Sequence, residues 1–83
     1  MYSIEFGKSV EKDLSKIPQQ DQIRILQKIR GLTINPRPPT SKKLSGQELY
    51  RVRQGNYRIV YEIKDELLVI LIVRVGNRKE VYK

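Results

Sequence analysis

One stretch, Leu49–Tyr61 (LYRVRQGNYRIVY), restricts the fold of this chain more than any other. Gly55-Asn56 separates two runs of alternating β-formers. A two-residue loop with glycine in its first central position is the mark of a type II′ hairpin turn. That turn sets Arg53 opposite Arg58, Val52 opposite Ile59 and Arg51 opposite Val60. Successive side chains point to opposite sides of a strand, so one face carries Tyr50, Val52, Ile59, Tyr61 and Ile63. The other face carries Arg51, Arg53 and Arg58. Like charges opposite one another destabilise a sheet. Three guanidinium groups on one face therefore imply that a polyanion is meant to sit there.

The remaining segments supply a cover for the apolar face. Tyr2–Phe6 alternates around Ile4 and reads as a short strand. Ser9 is a candidate N-cap for a helix to about Lys16, with Val10, Leu14 and Ile17 on one stripe. Pro18 ends that helix, because the residue before proline avoids the helical region, and it starts a second helix that runs to about Thr33. Ile25, Leu26, Ile29 and Leu32 form the buried stripe of the second helix. Asp21 near its start suits the helix dipole. Asn35–Lys42 (NPRPPTSK) is a proline-rich loop. After the hairpin the chain turns at Asp65-Glu66 into an apolar strand, Leu67–Val75, and Gly76-Asn77 ends it. The order β-α-α-β-β-β predicts an α+β fold, a helical hairpin packed on a mostly antiparallel four-stranded sheet. Ile4, Val52, Ile59, Tyr61, Ile63, Ile70 and Ile72 should face the helices. Val60, Leu71 and Val73 should floor the arginine face. The place of the first strand in the sheet is not fixed by this pattern.

The chain's 83 residues suit one domain, residues 1–83. The chain has no cysteine, which points to an intracellular, cytoplasmic protein. Its longest apolar run, Leu67–Val73, is far short of a membrane span, so no membrane partner is expected. With neither His nor Cys, it cannot use a cysteine nucleophile, histidine acid–base chemistry or the usual zinc ligands. Its carboxylates are scattered singly, which argues against a two-metal site, and no glycine-rich phosphate loop is present. Neither metal nor cofactor is expected. The formal charge is +8, of which residues 37–83 carry +6. That asymmetry suits phosphate or an acidic protein partner; a solvated basic surface is the plain alternative.

What remains is a cluster of Arg51, Arg53, Arg58 and Arg78, with Lys43, Lys79 and Tyr82. Arginine suits phosphate because its planar fork donates two hydrogen bonds and stays charged. RNA can be cut without a metal when its own 2′-hydroxyl attacks the adjacent phosphorus, and fixed cations then stabilise the charge that develops. Tyr82 can stack on a base or relay a proton. Taken singly, Arg51 and Arg53 fit an ordinary polar strand face, and Lys42-Lys43 fits a solvated loop pair. Tyr82 fits a frayed end. Tyr50, Tyr57 and Tyr61 read as core or rim residues. The residues by themselves reach an anion-binding domain, with RNA as a candidate ligand.

KLSG at Lys43–Gly46, YRVRQGNYRIVYEI at Tyr50–Ile63 and VGNRKEVY at Val75–Tyr82 resemble the RelE toxins of the RelE/ParE superfamily. DLSKIP at Asp13–Pro18 fits the same pattern, so the resemblance covers nearly the whole chain. It implies a sheet packed by an N-terminal helical hairpin, and cleavage of mRNA in the ribosomal A site without a metal. By this resemblance Arg51, Arg53, Arg58 and Arg78 are the catalytic cations and Tyr82 stacks on the target base; Lys43 and Lys79, from the same basic cluster, are expected to bind RNA. Well-studied members carry lysines where this chain has Arg51 and Arg53. The resemblance also implies an acidic antitoxin partner, the ribosome and mRNA as targets, and operator DNA bound through the antitoxin. A ParE-type inhibitor of DNA gyrase and a non-catalytic RNA- or protein-binding module are the alternatives.

Overall fold

In the computed structural model, which describes residues 1–77 apart from Ser45 and Gln47, two helices lie on one face of a mixed sheet. The elements are β1 (Ser3–Phe6), α1 (Val10–Ser15), α2 (Gln19–Leu32), β2 (Lys42–Lys43), β3 (Leu49–Gln54), β4 (Tyr57–Lys64) and β5 (Val69–Asn77). The strand order is β1-β5-β4-β3-β2. The α+β arrangement is the expected one, but the sheet has five strands rather than four, because the two lysines after the proline loop pair with β3. β1 lies parallel to β5, and the other pairings are antiparallel.

The hairpin is the one the turn demanded. Gly55 takes φ +60° while Asn56 does not enter the positive region, the sign pattern of a type II′ turn. Val52 pairs with Ile59, Arg51 with Val60 and Arg53 with Arg58. A bulge then interrupts the β4–β5 ladder: Val60 pairs with Arg74 and Tyr61 with Ile72, which leaves Val73 as the extra residue. The strand's alternation shifts there. Val75 consequently joins Ile70 and Ile72 in the core, a position the sequence pattern had not assigned.

The core lies between the helices and the Val52–Ile59 face. Val10, Ile17, Ile25, Ile29 and Leu32 meet Val52, Ile59, Tyr61, Ile70, Ile72 and Val75. Leu26, expected on the buried stripe, is 40% exposed. Leu67 and Leu68, expected in the last strand, are exposed: Asp65–Leu67 forms a single 3-10 turn and Leu68 adopts a left-handed φ of 54°.

Local chemistry fixes the connections. Ser9 is the N-cap of α1, yet its hydroxyl accepts no N–H from its own helix and instead donates to the Val73 carbonyl of β5. Gly7 permits the β1–α1 turn, because a Cβ there would stand 2.9 Å from the Ile72 carbonyl oxygen. The Gln22 amide donates to the Leu14 and Ile17 carbonyls, satisfying the end of α1 from within α2. α1 also closes the edge of β5 beyond the end of β1. There Asp13 accepts the Val75 backbone N–H at 3.1 Å and the Arg74 Nε–H at 3.0 Å.

Candidate functional site

The sheet face turned away from both helices is organised in rows, because cross-strand partners share a face. Nearest the hairpin tip, Arg53, Arg58 and Gly76 stand side by side on β3, β4 and β5. The next row is Lys42, Arg51, Val60 and Arg74 on β2 to β5. The third is Leu49, Glu62 and Leu71. Rows lie two residues apart along a strand, roughly 7 Å. The backbone thus sets arginine against arginine in one row and lysine against arginine in the next.

Burial grades the cluster. Arg53 is exposed and Arg51 is half-buried. Arg58, on the central strand, is only 8% exposed and is the one buried charged residue among those described. Val60, buried at 5%, floors the face beside it. Removing a charge from water is expensive unless its surroundings compensate. Gly76 places no side chain beside Arg58. A recess of about 300 Å³ is lined by Thr40, Lys42, Arg51, Val52 and Arg53.

The remaining sequence-predicted residues fall elsewhere. Lys43 pairs with Tyr50, so its side chain belongs to the opposite side of the sheet from Arg51, and its Nζ lies 3.5 Å from Glu48. Arg78, Lys79 and Tyr82 lie outside the described residues. Lys42, which the sequence reading left as a solvated loop residue, is the lysine that shares the arginine face. A two-residue strand has no period to reveal which of its residues faces which way. Arg74 shares that row by register, but Asp13 holds its Nε.

The described tyrosines serve the other face. Tyr61 is fully buried and donates to the Pro36 carbonyl at 2.8 Å. Tyr50 stacks on it with ring centroids 5.9 Å apart. The Arg37 guanidinium lies 5.5 Å from the Tyr50 ring centre and bonds Asp65 at 2.9 Å, with Tyr2 donating its hydroxyl to the same carboxylate. These bonds, from Arg37 first and Tyr2 second, hold the Asp65 carboxyl below its ordinary range. The Tyr2 hydroxyl is pushed up, chiefly by its bond to Asp65. At the hairpin tip, Tyr57 donates to Asp21 at 3.2 Å, and its pKa is raised by desolvation and by that bond. The chemistry available on the arginine face is electrostatic: cations and donors for an anion.

Comparison with known proteins agrees with this geometry. A family model described as the ParE toxin of type II toxin–antitoxin systems, parDE, matches residues 4–82. The mRNA interferase toxin RelE of Escherichia coli is 27% identical over 98% of this chain and 90% of its own length. In the crystal structure of the toxin–antitoxin complex RelBE2 from Mycobacterium tuberculosis, one chain superposes with a TM-score of 0.83 at 28% identity, covering 93% of this chain and 98% of that one. The archaeal RelE–RelB complex from Pyrococcus horikoshii gives a TM-score of 0.83 at 30% identity, covering 96% and 98%.

Proposed function

The chain belongs to the ParE/RelE family of type II toxin–antitoxin toxins, and on that premise we propose that it is a ribosome-dependent endoribonuclease that cuts mRNA in the A site. The observation that carries this reading is the facing of Arg53 and Arg58, with Arg51 alongside, on the sheet face away from the helices. The 2′-hydroxyl of the target nucleotide attacks the adjacent phosphorus, and the 5′-oxygen of the next nucleotide leaves. The products are a cyclic phosphate and a free 5′-hydroxyl. Negative charge grows on the non-bridging oxygens, where Arg53 and Arg58 aim their donors. Arg51, one row along, and Arg78 add positive charge near that phosphate, and Lys79 holds the RNA beside it. Arginine does not take the 2′-hydroxyl proton. Tyr82 is the side chain of this chain offered to relay that proton to the departing 5′-oxygen, and its ring stacks on the base. The reaction draws its nucleophile from the substrate and calls on no cofactor.

In the cytoplasm the toxin is silenced by an acidic antitoxin, for which a formal charge of +8 gives fast, salt-sensitive association, and the pair reaches operator DNA through the antitoxin. The relatives that carry this partner are solved as RelE–RelB and RelBE2 complexes. The family model's ParE description supports one competing reading, poisoning of DNA gyrase. Inducing the chain in cells and mapping RNA 5′ ends separates the two. Cuts within translated codons are expected. Intact mRNA with a DNA-damage response would replace the nuclease by the gyrase inhibitor.

A further inference from the structure

The sheet face offers a second cationic pair beyond the one assigned to the scissile phosphate. Lys42 stands directly opposite Arg51, one row along from Arg53 and Arg58. A lysine set opposite an arginine, next to a row of two arginines, gathers four cations where an anionic strand can take donors from each. The spacing of the rows, roughly 7 Å, is of the order of the separation of successive phosphates in an extended single strand.

Three further observations converge on Lys42. Its side chain is exposed and makes no ion pair or side-chain hydrogen bond among the described residues. The cations Arg37, Lys43 and Arg74 each meet a carboxylate of this chain instead. Lys42 also lines the recess of about 300 Å³ that Arg51 and Arg53 share, with Thr40 on the same wall. A turn closed by the Ser41 N–H and hydroxyl on the Pro38 carbonyl presents that wall at the sheet edge. The next row beyond Lys42 and Arg51 holds Glu62, which ends the positive track.

We propose that Lys42 and Arg51 form a second phosphate site, holding the substrate-strand phosphate next to the one being cleaved. This rests on the endonuclease reading above and deepens it. Lys42 is then a binding residue that registers the strand, whereas Arg53 and Arg58 act on the transition state.

The test uses ribosomes programmed with short mRNAs in which the linkage on one or the other side of the scissile bond is an uncharged methylphosphonate. Wild type, Lys42→Ala and Lys42→Arg are compared by single-turnover cleavage. The wild type is expected to lose roughly tenfold in kcat/KM on one of the two modified substrates, with kcat at saturation nearly unchanged. Lys42→Ala should show that same loss on the unmodified mRNA and no further loss on the modified one, and Lys42→Arg should restore the wild-type pattern. Losses from variant and linkage that multiply would overturn the site, because the lysine would then be contacting some other phosphate, such as one of the ribosomal RNA. Lys42→Ala at wild-type efficiency would overturn it as well. A wild type that leaves even the unmodified mRNA whole would instead end the endonuclease reading itself.

Discussion

Arg37 and Arg53 sit on opposite faces of one sheet, and their neighbours differ in kind. Arg37 lies over the Tyr50 ring and bonds the Asp65 carboxylate, which also takes the Tyr2 hydroxyl. It joins the proline loop, the β4–β5 turn and the chain's first residues into one end of the molecule. Arg53 faces another arginine across the ladder, in the row next to Lys42 and Arg51. The first arrangement satisfies itself, and for exposed pairs of this kind the contribution to stability is small. The second sets two guanidinium groups side by side, where a phosphate can take donors from both. What an arginine is for is therefore read from what the register places opposite it.

The comparison breaks most sharply at Arg58. Arg58→Ala is expected to lower mRNA cleavage by about 10²–10³-fold, while circular dichroism reports an unchanged fold. Full cleavage by a folded Arg58→Ala variant would remove the functional half of the contrast. On the other face, Tyr61→Phe should lower unfolding stability by about 1 kcal/mol in urea titration, since the Pro36 carbonyl loses its donor. Cleavage should be unaffected. Arg53→Ala sharpens the comparison. Arg53 is exposed, so its removal should change stability by less than about 1 kcal/mol while cleavage falls. If Arg53→Ala destabilises the protein by more, Arg53 is a structural residue like Arg37.

The smallest expected effect is a pH dependence confined to the self-satisfied end. Asp65 has a folded pKa below its unfolded value. Its contribution is present above the ordinary carboxylate range, about pH 4, and is lost as pH falls through the lower folded value. Tyr2 has a raised folded pKa. Its contribution is complete below the ordinary phenol range, about pH 10, and is lost as pH climbs through the higher folded value. Thermal melts should therefore show a plateau between these limits, and Asp65→Asn should flatten the acidic shoulder. An unchanged shoulder in that variant would assign it to another carboxylate.

The hairpin was fully legible because its turn is two residues long and Gly55 fixes the twist; every expected pair across it is present. The helices were legible from Val10, Ile17, Ile25, Ile29 and Leu32 and from the break at Pro18. Three features were not. The partner of β1 is set by a parallel pairing with β5 at the far end of the chain, which no local pattern encodes. β2 is too short to show alternation, so Lys43 rather than Lys42 was assigned to the site. The bulge at Val73 falls inside a continuous apolar run, where an extra residue leaves the pattern unchanged while it reverses which residues face inward. At the site, Arg51, Arg53 and Arg58 came from periodicity, whereas the burial of Arg58 follows from its seat on a central strand, a property of the assembled sheet.

The direction of β1 also decides where a handle can be attached. β1 begins beside Val69, and β5 finishes at Asn77, paired with Tyr57 at the hairpin tip. Those two points are roughly 25 Å apart along the strand. A tag, dye or surface tether placed ahead of Ser3 hangs from the pole remote from Arg53 and Arg58. One reached through the chain that follows Asn77 starts beside Gly76, the immediate neighbour of Arg58. Immobilisation by the amino end thus keeps the cationic rows open to solution.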